Sequence, residues 1–95
     1  MVNILVVEDD TTLNQLICTY LSNSGFKTKG CLRVSDAYEE MYNNLYSLII
    51  SDIMMPEIDG FEFAESVRKI NKRIPILIYQ KANRADSAAY RTKVR

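Results

Sequence analysis

The sequence predicts an α/β domain built on a doubly wound parallel sheet, and three observations predict it. Ile4-Leu5-Val6-Val7 and Leu48-Ile49-Ile50 are near-continuous apolar runs, the pattern of strands buried on both faces. Between the apolar runs lie stretches whose apolar residues recur at helical spacing. The connections are short, so strands and helices must alternate with right-handed crossovers and with helices on both faces of the sheet.

Each element follows in order. Residues 3–7 form the first strand. Thr11 to Asn23 carries Leu13, Leu16, Ile17, Tyr20 and Leu21 on one helical face, with Asp10 or Thr11 as cap and Ser24-Gly25 as stop. Phe26 to Gly30 reads as a short second strand, and Ser35 caps a second helix that turns Ala37, Tyr38, Met41 and Leu45 inward. Ser47 to Ser51 is the third strand. Pro56 and Asp59-Gly60 mark a loop and turn before a third helix, Phe61 to Ile70, which buries Phe63, Ala64, Val67 and Ile70. Pro75 opens a fourth strand over Ile76-Leu77-Ile78-Tyr79. Beyond it the pattern thins: Asp86 to Lys93 permits a helix of small apolar area, and no fifth strand is predicted.

At 95 residues, 47% apolar and 25% charged, the chain reads as one domain. No apolar stretch approaches the roughly 20 residues that span a bilayer, so a cytoplasmic location is expected. The two cysteines, Cys18 and Cys31, lack the close spacing of a zinc or redox pair and read as reduced, half-buried thiols. There is no histidine, which removes the commonest general base and the second member of most nucleophilic triads. Carboxylates must carry any chemistry. Residues 1–60 hold nine acids and three bases, whereas residues 61–95 hold three acids and nine bases. The first segment is suited to cations. The bases of the second are scattered and only Tyr90 could stack, so direct nucleic-acid binding by this domain is not expected.

The acids fall at strand ends. Glu8 and Asp9 follow the first strand and Asp52 the third. If these strands lie side by side at a topological switch point, the three carboxylates face one another at one rim. Their repulsion is relieved by proton uptake or by a cation, and an all-oxygen site that is open to water suits Mg²⁺. A carboxylate beside Mg²⁺ can also act as a nucleophile toward phosphorus, and Asp52, alone at its strand end, is the candidate.

Val6-Val7-Glu8-Asp9-Asp10, then Ser51-Asp52-Ile53-Met54-Met55-Pro56-Glu57-Ile58-Asp59-Gly60, then Ile74-Pro75-Ile76-Leu77 resemble the receiver domains of two-component response regulators, the CheY-like family. The resemblance covers residues 2 to about 79. It implies a flavodoxin-like strand order 2-1-3-4 and a phosphoacceptor role for Asp52. It also implies Asp9 and Asp52 as Mg²⁺ ligands, the backbone carbonyl of Met54 as another, and Glu8 holding the ion through water. A sensor histidine kinase is the implied phosphodonor, and a downstream output domain or protein, often one that regulates transcription, the implied target. Such a chain is a phosphoacceptor, not an enzyme, beyond catalysing its own phosphorylation and dephosphorylation.

The chain departs from this pattern in two places. Gln80 stands at the switch position where the family usually has Ser or Thr. The family's fifth strand, its lysine and its fifth helix have no counterpart, so residues 1–95 read as a single receiver domain incomplete at its C-terminus. Lys81, the one nearby base, reads as a solvated lysine. An uncovered fourth strand would be a bare apolar edge through which two copies could pair. Two other readings stay open: a phosphorylation-independent pseudo-receiver, favoured by Gln80, and a Mg²⁺-dependent phosphohydrolase with an aspartyl-phosphate intermediate. The second requires Asp-x-Asp after the first strand, where this chain has Glu8-Asp9-Asp10.

Overall fold

The computed structural model describes residues 2–81 together with the backbone of residues 90–94. Its elements run β1 (Asn3–Val7), α1 (Thr11–Asn23), β2 (Lys27–Cys31), α2 (Val34–Asn43), β3 (Leu48–Asp52), α3 (Gly60–Ile70), β4 (Ile76–Lys81) and β5 (Tyr90–Val94). The first four strands form the parallel sheet β2-β1-β3-β4, in the predicted order.

Strand alternation divides the core between the two faces. Leu5, Val7, Ile49, Ile76 and Ile78 point to one side, where they meet Val34 and Ala37 of α2 and Phe63, Ala64 and Val67 of α3. Ile4, Val6, Ile50 and Tyr79 point to the other, with Leu13, Ile17 and Leu21 of α1 packed against them. Burying each large side chain is worth about 1.5–3 kcal/mol, so fully buried Phe63 and Leu5 anchor the first layer.

The helix ends are fixed by side chains as the sequence predicts for α1, where Asp10 Oδ1 accepts from the Leu13 amide at 3.0 Å. At α3, Asp59 and Glu62 form a reciprocal capping box. For α2 the prediction is corrected. Ser35 lies inside the helix and Arg33 is the N-cap, without a side-chain bond; Leu45 falls beyond the helix end and is 88% exposed.

Three further residues assigned to buried helix faces are exposed: Leu16, Tyr20 and Ile70. On α1 the deepest position belongs instead to a polar residue, Asn14. Its amide donates to the Glu8 carbonyl at 3.0 Å and the Cys31 carbonyl at 3.1 Å, which ties the helix to the ends of β1 and β2. Gly30 makes room for it, because a Cβ there would lie 2.1 Å from Asn14 Oδ1. Cys31 is buried rather than half-buried, and burial raises its thiol pKa to about 11.

Beyond Tyr79 the strand continues to Lys81, and Tyr90–Val94 adds an antiparallel fifth strand in register Leu77↔Val94 through Lys81↔Tyr90. This edge strand differs from the parallel fifth strand that the family resemblance would supply. It pairs with β4, so the bare edge expected there is covered, and the expected helix gives way to strand from Tyr90 onward. Residues 86–89 lie outside the described residues.

Candidate phosphoacceptor and cation site

Parallel pairing of β1 with both β2 and β3 places the ends of β1 and β3 side by side, with Val7 opposite Ser51. The next residue on each strand is therefore an acid at the same rim. One carboxylate oxygen from each of Glu8, Asp9 and Asp52 lies within 4.8 Å of the others. Glu8 is fully buried, Asp52 is 1% exposed, and Asp9 faces solvent.

The loop after β3 is built around Asp52. The Met54 amide donates to Asp52 Oδ1 at 3.1 Å, while the Ile53 amide bonds the Tyr79 carbonyl of β4 at 2.8 Å. The Met54 side chain is 70% exposed, so this residue serves the site through its backbone. Gly60 closes the loop with a bond from its amide to the Ile53 carbonyl, 2.8 Å long. Asp52 Oδ2 is buried and accepts no hydrogen bond from the described residues.

The positive charge at this rim comes from a residue that the sequence reading left in solvent. Lys81 Nζ lies 3.1 Å from Glu8 Oε2 and 3.4 Å from Asp52 Oδ2, bonded to the first and attracting the second by charge. Burial works against the ammonium charge, but the hydrogen bond and charge of Glu8 and the charge of Asp52 outweigh it, holding the Lys81 pKa above its ordinary value. Glu8 is engaged on both oxygens, because Oε1 accepts from the Tyr79 hydroxyl and Oε2 also accepts from the Asp10 amide at 2.9 Å. Gln80, between Tyr79 and Lys81, is exposed. Strand alternation explains this: once Tyr79 faces the carboxylates, Lys81 shares its side and Gln80 does not.

A hard cation fits these residues. Among the described residues, three clustered carboxylates offer only oxygen, one buried oxygen accepts no hydrogen bond, and a single ammonium faces the three acids. Burial raises the Asp9 carboxyl pKa, and its hydrogen bond and repulsion with Glu8 raise it further. The folded chain then binds more protons than the unfolded chain just above the usual Asp range, so the stability contribution of Asp9 falls as pH rises through that window. Asp9→Asn is expected to stabilise the metal-free protein at neutral pH by a few tenths of a kcal/mol, on the order set by a mostly solvated charge. Thermal unfolding with chelator at acid and neutral pH checks the sign; the gain should vanish at acid pH.

A doubly wound sheet with its polar cluster at the switch point defines an α/β domain whose ligand site lies at the carboxyl ends of its strands. Residues 4–94 match the model of the response regulator receiver domain, and the chain belongs to that family. It is 42% identical over 77 residues, 79% of its length, to the probable transcriptional regulator ycf29 of Porphyra purpurea, of which those residues cover 37%. Among solved structures it is similar to the response regulator TrrA of Thermotoga maritima in complex with Mg²⁺-BeF, with a TM-score of 0.73 and 32% identity. That match covers 82% of this chain and 66% of TrrA. TrrA in complex with the histidine kinase ThkA gives a TM-score of 0.77 at 32% identity, covering 82% of this chain and 67% of that one. The chain thus spans about a third of the length of the curated relatives it matches. Among the described residues, no helix is long and apolar enough to cross a membrane.

Proposed function

We propose that this receiver accepts a phosphoryl group on Asp52 from a sensor histidine kinase, with Mg²⁺ as cofactor, and passes the change to an output domain or partner that regulates transcription. The observation that carries the reading is Asp52 Oδ2, a buried carboxylate oxygen that, among the described residues, accepts no hydrogen bond and is faced by two further carboxylates and one ammonium. Bound Mg²⁺ would neutralise phosphoryl oxygens, held by Asp9 and Asp52 with the Met54 carbonyl, and by Glu8 through water.

The chain's own groups do the rest. The Met54 amide fixes Oδ1 and so leaves Oδ2 as the attacking atom. Oδ2 forms a bond to phosphorus as the bond between phosphorus and the donor nitrogen, or the oxygen of a small donor, breaks; the electron pair of the broken bond stays on the leaving group, which departs as an imidazole that takes any proton it needs from water, or as a carboxylate such as acetate that needs none. Lys81, already 3.4 Å from Oδ2, is placed to meet a phosphoryl oxygen. In this role the domain is a cytoplasmic phosphoacceptor that needs no direct contact with nucleic acid.

Incubation with Mg²⁺ and acetyl phosphate, followed by intact-mass measurement, tests the reading. One added phosphoryl group on the wild type and none on Asp52→Asn is the expected result. Steady phosphate release without an adduct would point to the hydrolase. Neither adduct nor release would leave the phosphorylation-independent module, the reading that Gln80 favours.

A further inference from the structure

We propose that Tyr79 is a positioning residue for the cation site, its phenol locking the Glu8 carboxylate in the orientation that the ion requires; the inference rests on the reading of the carboxylates as a Mg²⁺ site. Glu8 is fully buried, and Oε1 accepts from the Tyr79 hydroxyl while Oε2 accepts from Lys81 and from the Asp10 amide. Three donors, two from β4 and one from the loop after β1, thus fix both oxygens of one side chain. A carboxylate held at both ends cannot rotate, and a preset orientation is what a ligand acting directly or through water contributes to affinity.

Tyr79 is itself well placed to be rigid. It is 6% exposed and packs in the α1-side core with Ile4, Val6 and Ile50, its backbone lies opposite Asp52 in the β3–β4 register, and its carbonyl accepts from Ile53. The ring therefore joins the apolar core on one face of the sheet to the carboxylate that follows β1. Phenylalanine would keep the packing and remove the donor, which separates the two roles.

Calorimetric titration of the full chain with Mg²⁺ should give a Kd about 10-fold weaker for Tyr79→Phe than for the wild type, the loss typical of deleting an outer-shell partner. Tyr20→Phe, at an exposed ring on α1, should bind as the wild type does. The tyrosine ultraviolet difference spectrum on adding Mg²⁺ should be present in the wild type and Tyr20→Phe and lost in Tyr79→Phe, a signature that packing alone would not produce. Equal affinities for wild type and Tyr79→Phe would overturn the positioning role and leave the cation site standing. A wild type that does not bind Mg²⁺ would overturn both. If Tyr79→Phe did not fold, the wild-type spectrum alone would decide, since no tyrosine perturbation at saturating Mg²⁺ is incompatible with the lock.

Discussion

Lys81→Met is expected to lower the stability of the metal-free protein by about 2 kcal/mol, and to make that loss recoverable with Mg²⁺. At an effective dielectric of about 20, an ammonium 3.1 Å from one carboxylate oxygen and 3.4 Å from another gains about 5 kcal/mol from each before desolvation is charged against it. Breaking a fully buried pair costs about 3–5 kcal/mol, because the surviving charge stays buried without a partner. Here the carboxylates are buried but the Lys81 side chain is 36% exposed, so solvent screening brings the expected cost down to about 2 kcal/mol. For a domain of this size that is about 10 °C in Tm.

Methionine keeps the stem's packing, which ties the loss to the charge. With the ammonium gone, a divalent ion becomes the remaining counter-charge for Glu8, Asp9 and Asp52. Mg²⁺ should therefore raise the Tm of Lys81→Met by more than it raises that of the wild type, as linkage requires of a ligand bound only by the folded state. Scanning calorimetry in chelator and in Mg²⁺ measures both shifts. An unchanged Tm in chelator would mean that the ion pairs contribute nothing to the fold. Because the Lys81 pKa is raised, its contribution is present in full below the ordinary lysine pKa and fades only as pH rises through the higher folded value. The neutral range should show no pH dependence from this residue.

That Lys81 matters was hidden in the sequence by a boundary. The apolar run ends at Tyr79, and a strand ended there leaves Lys81 in a loop; the strand in fact runs two residues further, where it pairs with β5, and the period of two then carries Lys81 to the same side as Tyr79. The acids were legible for the opposite reason. Glu8, Asp9 and Asp52 directly follow or end runs of buried aliphatics that specify parallel strands, so their meeting follows from the topology alone. Asn14 was missed because an apolar helical face is counted by its hydrophobes, whereas the end of a sheet presents carbonyls that need a donor; only its position beside Gly30 hints at the contact. Leu16, Tyr20 and Ile70 err in the other direction. They continue a helical stripe past the width of sheet available to cover it. β5 could not be read at all, since Tyr90-Arg91-Thr92-Lys93-Val94 owes its strand form to the free edge of β4 and not to an apolar pattern of its own.

The second large effect is expected at Gly60→Ala, where a single methyl group should cost about 2 kcal/mol and disturb the site together with the fold. A Cβ at Gly60 would lie 2.6 Å from the Asp52 carbonyl oxygen, 2.9 Å from the Ile53 Cα and 3.2 Å from the Asp52 carbonyl carbon. All three are backbone atoms, so no side-chain rotation can relieve the contact. Alanine is worth up to about 1 kcal/mol over glycine inside a helix, but overpacking against fixed backbone costs about 1–3 kcal/mol or more, and Gly60 sits on the first turn of α3, where the helical gain is least. The clash wins. The helix start must then move away from the end of β3, stretching the 2.8 Å bond from the Gly60 amide to the Ile53 carbonyl and tilting the loop whose Met54 amide holds Asp52 Oδ1. Gly60→Ala should thus unfold about 10 °C below the wild type and, unlike Lys81→Met, should also bind Mg²⁺ more weakly, while both variants should accept phosphate more slowly. Chelator-treated unfolding curves, Mg²⁺ titration and the rate of mass gain from acetyl phosphate, measured on the same preparation, separate the two variants: Lys81→Met loses stability that the metal restores, whereas Gly60→Ala loses a geometry that the metal cannot rebuild.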